Sequence, residues 1–216
     1  MCIRDSSSNA LEGNSLTETE TKIVLEEGIT IGGKPLKDHF EAMGHSEAYD
    51  HLYQLSKKKV ITEEDVLELH KLFYYRIDKR NAGAYRKVPV IITGTDVKFP
   101  PPSKIKPLMQ EFIKEIPLLR KKYHPVEYSA LIHLRLVNIH PFIDGNGRTA
   151  RLLMNLALLQ SGYVITIIPP ILRRDYLDSL RASNRGDNKP FLNLIMAMVY
   201  ESQKDYLRIV ETLNEK

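Results

Sequence analysis

The sequence of 216 residues has no tryptophan and only one cysteine, Cys2. A single cysteine excludes an intrachain disulfide and a zinc site built on several thiolates, and it is typical of a reducing compartment. Long apolar runs are also missing, since the longest, residues 163–172, is interrupted by two prolines. The N-terminus lacks the apolar stretch of a signal peptide. We therefore expect a soluble, cytoplasmic protein without a membrane partner.

The sequence also lacks a strong excess of either sign of charge. The formal net charge is +4, from 31 basic and 27 acidic residues, and basic residues cluster only at 56–59 and 120–123. Such short runs are usually solvated helix ends, so we expect no nucleic-acid partner. A chain of this length that is 43% hydrophobic can bury one sizeable core.

Most of the chain has helical periodicity. Thr62 with Asp65 three residues later predicts a capping box at the start of a helix. Residues 126–139 and 148–162 are apolar on most sides, which predicts two central, buried helices. The amphipathic segment 34–58 is expected to bury one face, with these apolar positions on it: Leu36, Phe40, Met43 and Leu52.

One segment breaks the helical pattern. Val88, Val90 and Ile92 lie at alternate positions, residues 93–96 form a turn, and Val97 and Phe99 resume the alternation before three prolines, which predicts a β-hairpin. We expect a mainly α fold with this hairpin packed on helices. Its free edge could pair with an extended peptide, or the hairpin could only cover the surface.

The densest chemistry lies in residues 140–151, "HPFIDGNGRTAR". Gly145 and Gly147 permit a backbone nest whose N–H groups turn inward at the start of the next helix. Arg148 and Arg151 would repel the helix dipole and each other unless an anion with several charges lay between them. A di- or triphosphate meets that requirement.

Two further side chains in this loop suit phosphate chemistry. Asp144 could hold Mg²⁺ together with the phosphates, and His140 could accept a proton near neutral pH. Each residue also has a structural alternative: a histidine cap, an aspartate turn, or arginines paired with distant carboxylates. Their conjunction within twelve residues favours catalysis.

At this loop the sequence resembles the Fic (Fido) family, whose signature is His, any, Phe, any, Asp or Glu, Gly, Asn, Gly, Arg, two of any, Arg. Every fixed position is matched, by His140, Phe142, Asp144, Gly145, Asn146, Gly147, Arg148 and Arg151. The resemblance covers roughly residues 67–200 and implies a Fic-type helical bundle in which the hairpin is a substrate-aligning flap beside the active-site loop. The flap residues would be Val90, Ile91, Ile92, Thr93 and Gly94.

The resemblance implies Mg²⁺-dependent transfer of AMP from ATP to a Ser, Thr or Tyr hydroxyl of a target protein. His140 would be the general base and Asp144 the Mg²⁺ ligand. The nucleotide would be held as follows: Gly145, Asn146 and Gly147 on the α- and β-phosphates, Arg148 on phosphate oxygens, Arg151 on the γ-phosphate, and Asn184 near the nucleoside.

The N-terminal stretch "SNALEGN" resembles the inhibitory motif of some Fic proteins, matched by Ser8, Glu12 and Gly13. Glu12 would pair with Arg151 and keep the γ-phosphate from its productive position. The alternative is a frayed terminus in which the pattern occurs by chance. Residues 1–6 look unrelated to the rest of the chain, and if they are a non-native leader, the inhibitory helix is shortened.

We therefore expect an N-terminal inhibitory segment over residues 1–28, core helices over 29–66, the catalytic core over 67–200 and a helix end over 201–216. Two other functions use the same residues: hydrolytic removal of AMP from a modified protein, and peptide binding that responds to nucleotide. The expected partner is a protein substrate of unknown identity, the chain itself included, and a homodimer is compatible with the sequence.

Overall fold

The computed structural model describes residues 2–91 and 97–214, which fold into α-helices joined by loops, the longest of which connects Tyr74 to Pro102. None of the helices in these two ranges combines the length and apolar character needed to cross a bilayer. The helices are α1 (Cys2–Ala10), α2 (Glu18–Lys22), α3 (Leu36–Leu55), α4 (Glu63–Tyr74), α5 (Pro102–Lys122), α6 (Pro125–Ile139), α7 (Asn146–Gln160), α8 (Arg173–Asn184) and α9 (Lys189–Asn214). A π-helical turn, Ile23–Glu27, follows α2, and a 3-10 turn, Pro170–Leu172, precedes α8.

Helices α6 and α7 pack side by side at the centre of the bundle. Leu152, Leu153 and Met154 of α7 are fully buried, as their apolar surroundings in the sequence predict. Helix α7 begins at Asn146, two residues before the predicted start, because Gly145 is already in the left-handed conformation that admits the chain into the helix.

Two apolar clusters cover this central pair. The larger is built by α3 to α7 and includes Leu52, Leu69 and Phe112. The smaller brings α8 and α9 against α6 and α7, and Leu11, just after α1, is buried in it. The central pair is thus wrapped along its length, and its connecting loop lies at one end of the bundle.

The helix start predicted at Thr62 is confirmed. The Thr62 hydroxyl accepts the Asp65 N–H at 3.2 Å and the Asp65 carboxylate accepts the Thr62 N–H at 2.9 Å, which is a capping box. This satisfies two of the N–H groups that a helix start leaves without partners.

The fold is mainly α, but the predicted hairpin is not found in the part of the chain that is described. Residues 88–91 and 97–99 carry no strand assignment, and the turn with Ile92, Thr93 and Gly94 lies outside the described residues. The carbonyls of Val88 and Pro100 are bound by a side chain, that of Arg86. In the described residues a guanidinium therefore holds the backbone at both ends of this segment, where a hairpin would use cross-strand pairing.

Candidate active site

The end of α6 sets the position of His140. Its N–H donates to the Leu136 carbonyl at 2.9 Å, and its backbone has φ 52° and ψ 58°. Among the described residues it is the one non-glycine with positive φ. This conformation turns the chain out of α6 at Pro141, where the sequence predicts that the helix ends.

The loop after His140 is held by hydrogen bonds within the loop and by contacts with His70. Asn146 accepts the Phe142 N–H and donates to the Phe142 carbonyl, each at 2.9 Å. The Phe142 ring stacks on His70 with ring centroids 3.8 Å apart. His70 Nδ1 accepts the Gly83 N–H at 2.9 Å, so its Nε2 carries the proton and donates to the Asp144 carbonyl at 3.1 Å. Burial lowers the pKa of His70 to about 4, which keeps this neutral tautomer at neutral pH.

An anion site lies at the start of α7. Gly145 has φ 78°, and no side chain caps the helix, so the first-turn N–H groups are without intrahelical acceptors. A Cβ at Gly145 would run into the Phe73 ring, and a Cβ at Gly147 would run into the Glu12 carboxylate. The Asn146 side chain is hydrogen-bonded to the Phe142 backbone. The phosphate contact predicted for Asn146 would therefore be made by its backbone N–H.

Arg148 is buried in the resting site. Its Nη1 lies 2.7 Å from Glu41 Oε1, and its guanidinium lies over the Phe73 ring at 4.6 Å. Asn14 donates to the other oxygen of Glu41 at 2.9 Å. Sequence reasoning missed Glu41, because a glutamate in an amphipathic helix carries no signal that distinguishes a buried partner from a solvated one.

Arg151 is also buried, and Ser8 of α1 and Glu12, just after α1, supply most of its contacts. Its Nη2 lies 2.8 Å from Glu12 Oε1 and donates to the Ser8 carbonyl at 2.8 Å, while its Nε donates to the Ser8 hydroxyl at 2.9 Å. On its other side Nη1 donates to the Tyr176 hydroxyl at 3.1 Å. Burial raises the pKa of Glu12, but the positive charges of Arg151 and Arg148 outweigh it and hold that pKa below its usual value.

Each arginine of the loop thus has a carboxylate partner, Glu41 for Arg148 and Glu12 for Arg151. The Glu12 carboxylate also lies against Gly147 in the first turn of α7. A carboxylate of the protein consequently stands where the helix start and the guanidinium would hold an external anion. An incoming phosphate at this position must displace Glu12.

Asp144 has the exposure that a metal ligand needs. Its side chain is 46% exposed, Oδ1 accepts the Gly145 N–H at 2.6 Å, and Oδ2 lies 3.7 Å from Lys37 Nζ. Within residues 2–91 and 97–214 no three acidic, histidine or cysteine side chains form a metal-binding group. The residues fit Mg²⁺ held by one carboxylate together with substrate phosphates, which is its usual mode of binding.

His140 has the protonation state of a base. Its Nδ1 lies 3.3 Å from the Val137 carbonyl, which can only accept, so Nδ1 carries the proton and Nε2 is the free acceptor. The Phe99 ring stacks on it with centroids 4.0 Å apart. Burial lowers the pKa of His140 to about 4, the Val137 carbonyl opposes this, and the charge of Arg86 lowers it further. The imidazole is neutral at neutral pH.

The remaining predicted residues lie at the margins of the site. Gly13, with φ 93°, turns the chain away just after Glu12. Asn184 is exposed at the C-terminal end of α8, and its contact with a nucleoside stays a prediction. In the predicted flap, Val90 is half-buried and Ile91 is 86% exposed.

Fold and site define a helical protein whose central helix pair carries, on its connecting loop, a candidate anion site beside a neutral histidine. The profile of the Fic/DOC family matches residues 60–158. The chain belongs to this family.

The family assignment agrees with individual relatives. The chain is 40% identical over 188 residues to the protein adenylyltransferase Fic of Drosophila grimshawi, which covers 86% of this chain and 38% of the fly protein. Fic-1 (aa134–508) from C. elegans superposes with a TM-score of 0.90 at 32% identity, covering 97% of this chain and 63% of that one. A Fic domain containing signaling protein from Bacteroides thetaiotaomicron gives 0.85 at 30% identity, covering 93% and 83%.

Proposed function

We propose that the chain catalyses Mg²⁺-dependent transfer of AMP from ATP to a Ser, Thr or Tyr hydroxyl of a target protein. The observation that carries this is one loop that joins a neutral His140, an exposed Asp144 and an uncapped helix start with two buried arginines. The name of the fly relatives, protein adenylyltransferase, supports the same reaction. The chain spans only 38% of the length of the fly protein. The activity and the protein targets of this chain are therefore part of the proposal.

In the proposed reaction His140 Nε2 takes the proton of the attacking hydroxyl. The hydroxyl oxygen bonds to the α-phosphorus, the bond from that phosphorus to the bridging oxygen breaks, and pyrophosphate leaves with its electron pair. Arg148 and the first-turn N–H groups of α7 stabilise the charge on the phosphates, and Arg151 would hold the γ-phosphate. Mg²⁺ bound by Asp144 would neutralise part of the phosphate charge.

The protein is held in check by its own N-terminal segment in this proposal. Glu12 and Ser8 bind Nε and Nη2 of Arg151, and Arg151 is the group assigned to the γ-phosphate. A triphosphate that binds productively must first break these contacts. The chain would therefore bind ATP weakly or unproductively while Glu12 stays in place.

The segment 88–99 is proposed to align the target. Among the described residues it makes no backbone ladder with the bundle, and Ile91 is almost fully exposed. Free backbone groups on such a segment can pair with an extended peptide largely without regard to its sequence. The chain itself is one candidate target, and a homodimer and a cytoplasmic location remain parts of the proposal.

Removal of AMP by hydrolysis is the second candidate at the same site. It is favoured by the Glu12 carboxylate, which is 33% exposed and close enough to His140 to influence its pKa. A carboxylate there could orient water toward a phosphorus atom. A binding module that only responds to nucleotide is disfavoured, because it would need neither His140 nor Asp144.

The proposal is tested by self-modification with labelled ATP and Mg²⁺. Glu12→Gly should raise labelling about tenfold or more, since couplings between sites are typically about 1–3 kcal/mol, and His140→Ala in the Glu12→Gly background should abolish it. Glu18→Gly is the matched control, because Glu18 is exposed in the same segment and touches no residue of the site. Labelling that is equal in Glu12→Gly and the parent protein would refute the inhibitory role. Time-resolved loss of label would instead identify hydrolysis.

A further inference from the structure

Arg86 is a buried arginine, 3% exposed, and no described acidic side chain lies within ion-pair distance of it. Its guanidinium donates to three carbonyls: Nε to His140 at 2.8 Å, Nη1 to Val88 at 3.0 Å and Nη2 to Pro100 at 2.6 Å. Its backbone N–H donates to the Pro141 carbonyl at 2.9 Å. One residue therefore contacts the catalytic loop and both ends of the segment 88–100.

This arrangement is unfavourable on its own. A charged group that is taken out of water loses hydration, and carbonyl dipoles recover only part of that loss. Burial accordingly lowers the pKa of Arg86. An apolar side chain could fill the same volume without that loss. Holding three backbone carbonyls in fixed relative positions is what only the guanidinium fork provides.

Two of those carbonyls are linked directly to the proposed base: one is that of His140 itself, and the other is that of Pro100, which follows Phe99. The His140 carbonyl follows a backbone in the left-handed region, which is strained for a non-glycine residue and is stabilised by the bond from Arg86. Phe99 precedes Pro100, and its ring stacks on the His140 imidazole. A displacement of Phe99 and Pro100 would thus be transmitted to His140 through its carbonyl, by way of Arg86, and through its ring.

We propose that Arg86 is a positioning residue that couples the target-binding segment 88–100 to the orientation of His140. This rests on the proposed function, in which that segment aligns the acceptor. The base is then correctly oriented only when the segment is in place. Arg86 itself touches neither nucleotide nor acceptor.

The charge of Arg86 acts on the same imidazole. The charged groups that face His140 are Arg86 from the segment before 88–100, Glu12 from the turn after α1 and Asp144 from the loop. Arg86 disfavours the protonated ring, whereas the two carboxylates favour it. Loss of the positive charge should therefore raise the pKa of His140, and loss of the fork alone should not raise it as much.

The test is an NMR titration of the His140 ring, assigned with His140→Ala, in the full chain. Stacking on Phe99 moves the His140 ring protons upfield, and Phe99→Ala gives the position without stacking. Arg86→Gln should raise the titration midpoint and move the ring protons downfield toward the Phe99→Ala position. Arg86→Lys should move the protons similarly but raise the midpoint less, because it keeps the charge and loses the fork.

Arg120→Gln is the matched control. Arg120 also donates to two carbonyls, those of Lys59 at 2.7 Å and Gln160 at 3.2 Å, away from the loop. It should change neither reading, and circular dichroism would show whether each variant remains folded. A folded Arg86→Gln protein with the parent's midpoint and ring shifts would overturn the proposal, as would equal changes in Arg120→Gln.

Kinetics in the Glu12→Gly background complete the test. Arg86→Lys should both raise KM for an acceptor peptide and lower kcat, since it loosens the acceptor segment and the base together. An unchanged KM with a lower kcat would contradict the coupling. The NMR readings do not need turnover, so a chain that transfers no AMP would refute the proposed function without deciding the role of Arg86.

Discussion

Gly145 carries two constraints that no other residue type meets together. Its φ of 78° lies in the left-handed region, and a Cβ there would run into the ring of Phe73, which is fully buried and cannot move aside freely. The His70 ring lies on the same side. Because Gly145 has no side chain, the start of α7 can lie directly against the rings of Phe73 and His70.

Gly145→Ala should lower the free energy of unfolding by about 2–5 kcal/mol, the sum of left-handed strain and overpacking. Gly162→Ala is the control, because Gly162 has φ 83° but nothing within 4 Å of an added Cβ. That variant should lose only about 1–2 kcal/mol from strain. Urea denaturation measures both, and equal losses would show that the contact with Phe73 does not matter.

The residues of the candidate site could be predicted as a group where they are close in sequence. The loop holds base, carboxylate, glycines and arginines within twelve positions, so spacing alone brought them together. Glu41, His70 and Arg86 could not be found this way, because each reaches the loop from a distant segment. The sequence did predict that arginines at a helix start need an anionic partner. It could not predict that Glu41 is the partner of Arg148.

At the scale of elements, α1 is attached to the bundle by more than its ion pair. Leu11 is 2% exposed in the smaller apolar cluster, and its carbonyl accepts a bond from Arg173 Nε at 2.8 Å. Ser8 and Glu12 then meet Arg151. Apolar burial thus holds the segment in place, and the carboxylate acts on the site only while that burial persists.

Leu11→Ala should therefore activate the protein even though Glu12 is intact. Loss of a buried leucine commonly costs about 2–5 kcal/mol, which increases the undocked population by tenfold or more. Self-modification with labelled ATP should rise toward the level of Glu12→Gly. Leu55→Ala, at an equally buried position in the larger cluster, should lower stability without raising labelling. Activation by both variants would mean that general loosening is the cause.

The sequence predicts the elements unevenly, for physical reasons. Helix α5 contains Pro107 and Pro117, which in a sequence are signals against a helix interior, and no helix is predicted there. In α3 the expected apolar face is partly wrong, since Leu36 is 59% and Met43 36% exposed. Its buried side instead carries polar groups whose partners come from other segments: Asp38 with Ser15, His39 with Ile31, and Glu41 with Arg148.

For the molecule as a whole, the proposed function links the restraint and the ligand through Arg151. In that proposal, docking of the N-terminal segment and productive binding of a triphosphate both require this guanidinium, so each would weaken the other by the same free energy. A ligand stabilises the folded chain in proportion to the strength of its binding to that chain. If Glu12 weakens ATP binding, ATP should therefore stabilise the parent protein less than it stabilises a variant without Glu12.

ATP with Mg²⁺ should raise the melting temperature of Glu12→Gly more than that of the parent protein, and this difference between the two proteins should be smaller with ADP. ADP lacks the phosphate assigned to Arg151, so it competes with Glu12 only at the start of α7. The excess shift for ATP should correspond to about 1–3 kcal/mol, the usual range of coupling between sites. Thermal denaturation with each nucleotide at several concentrations measures it, and His140→Ala should behave as the parent does because it leaves the anion site intact. If ATP and ADP shift each protein equally, then Glu12 does not exclude the γ-phosphate, and the restraint acts on another step.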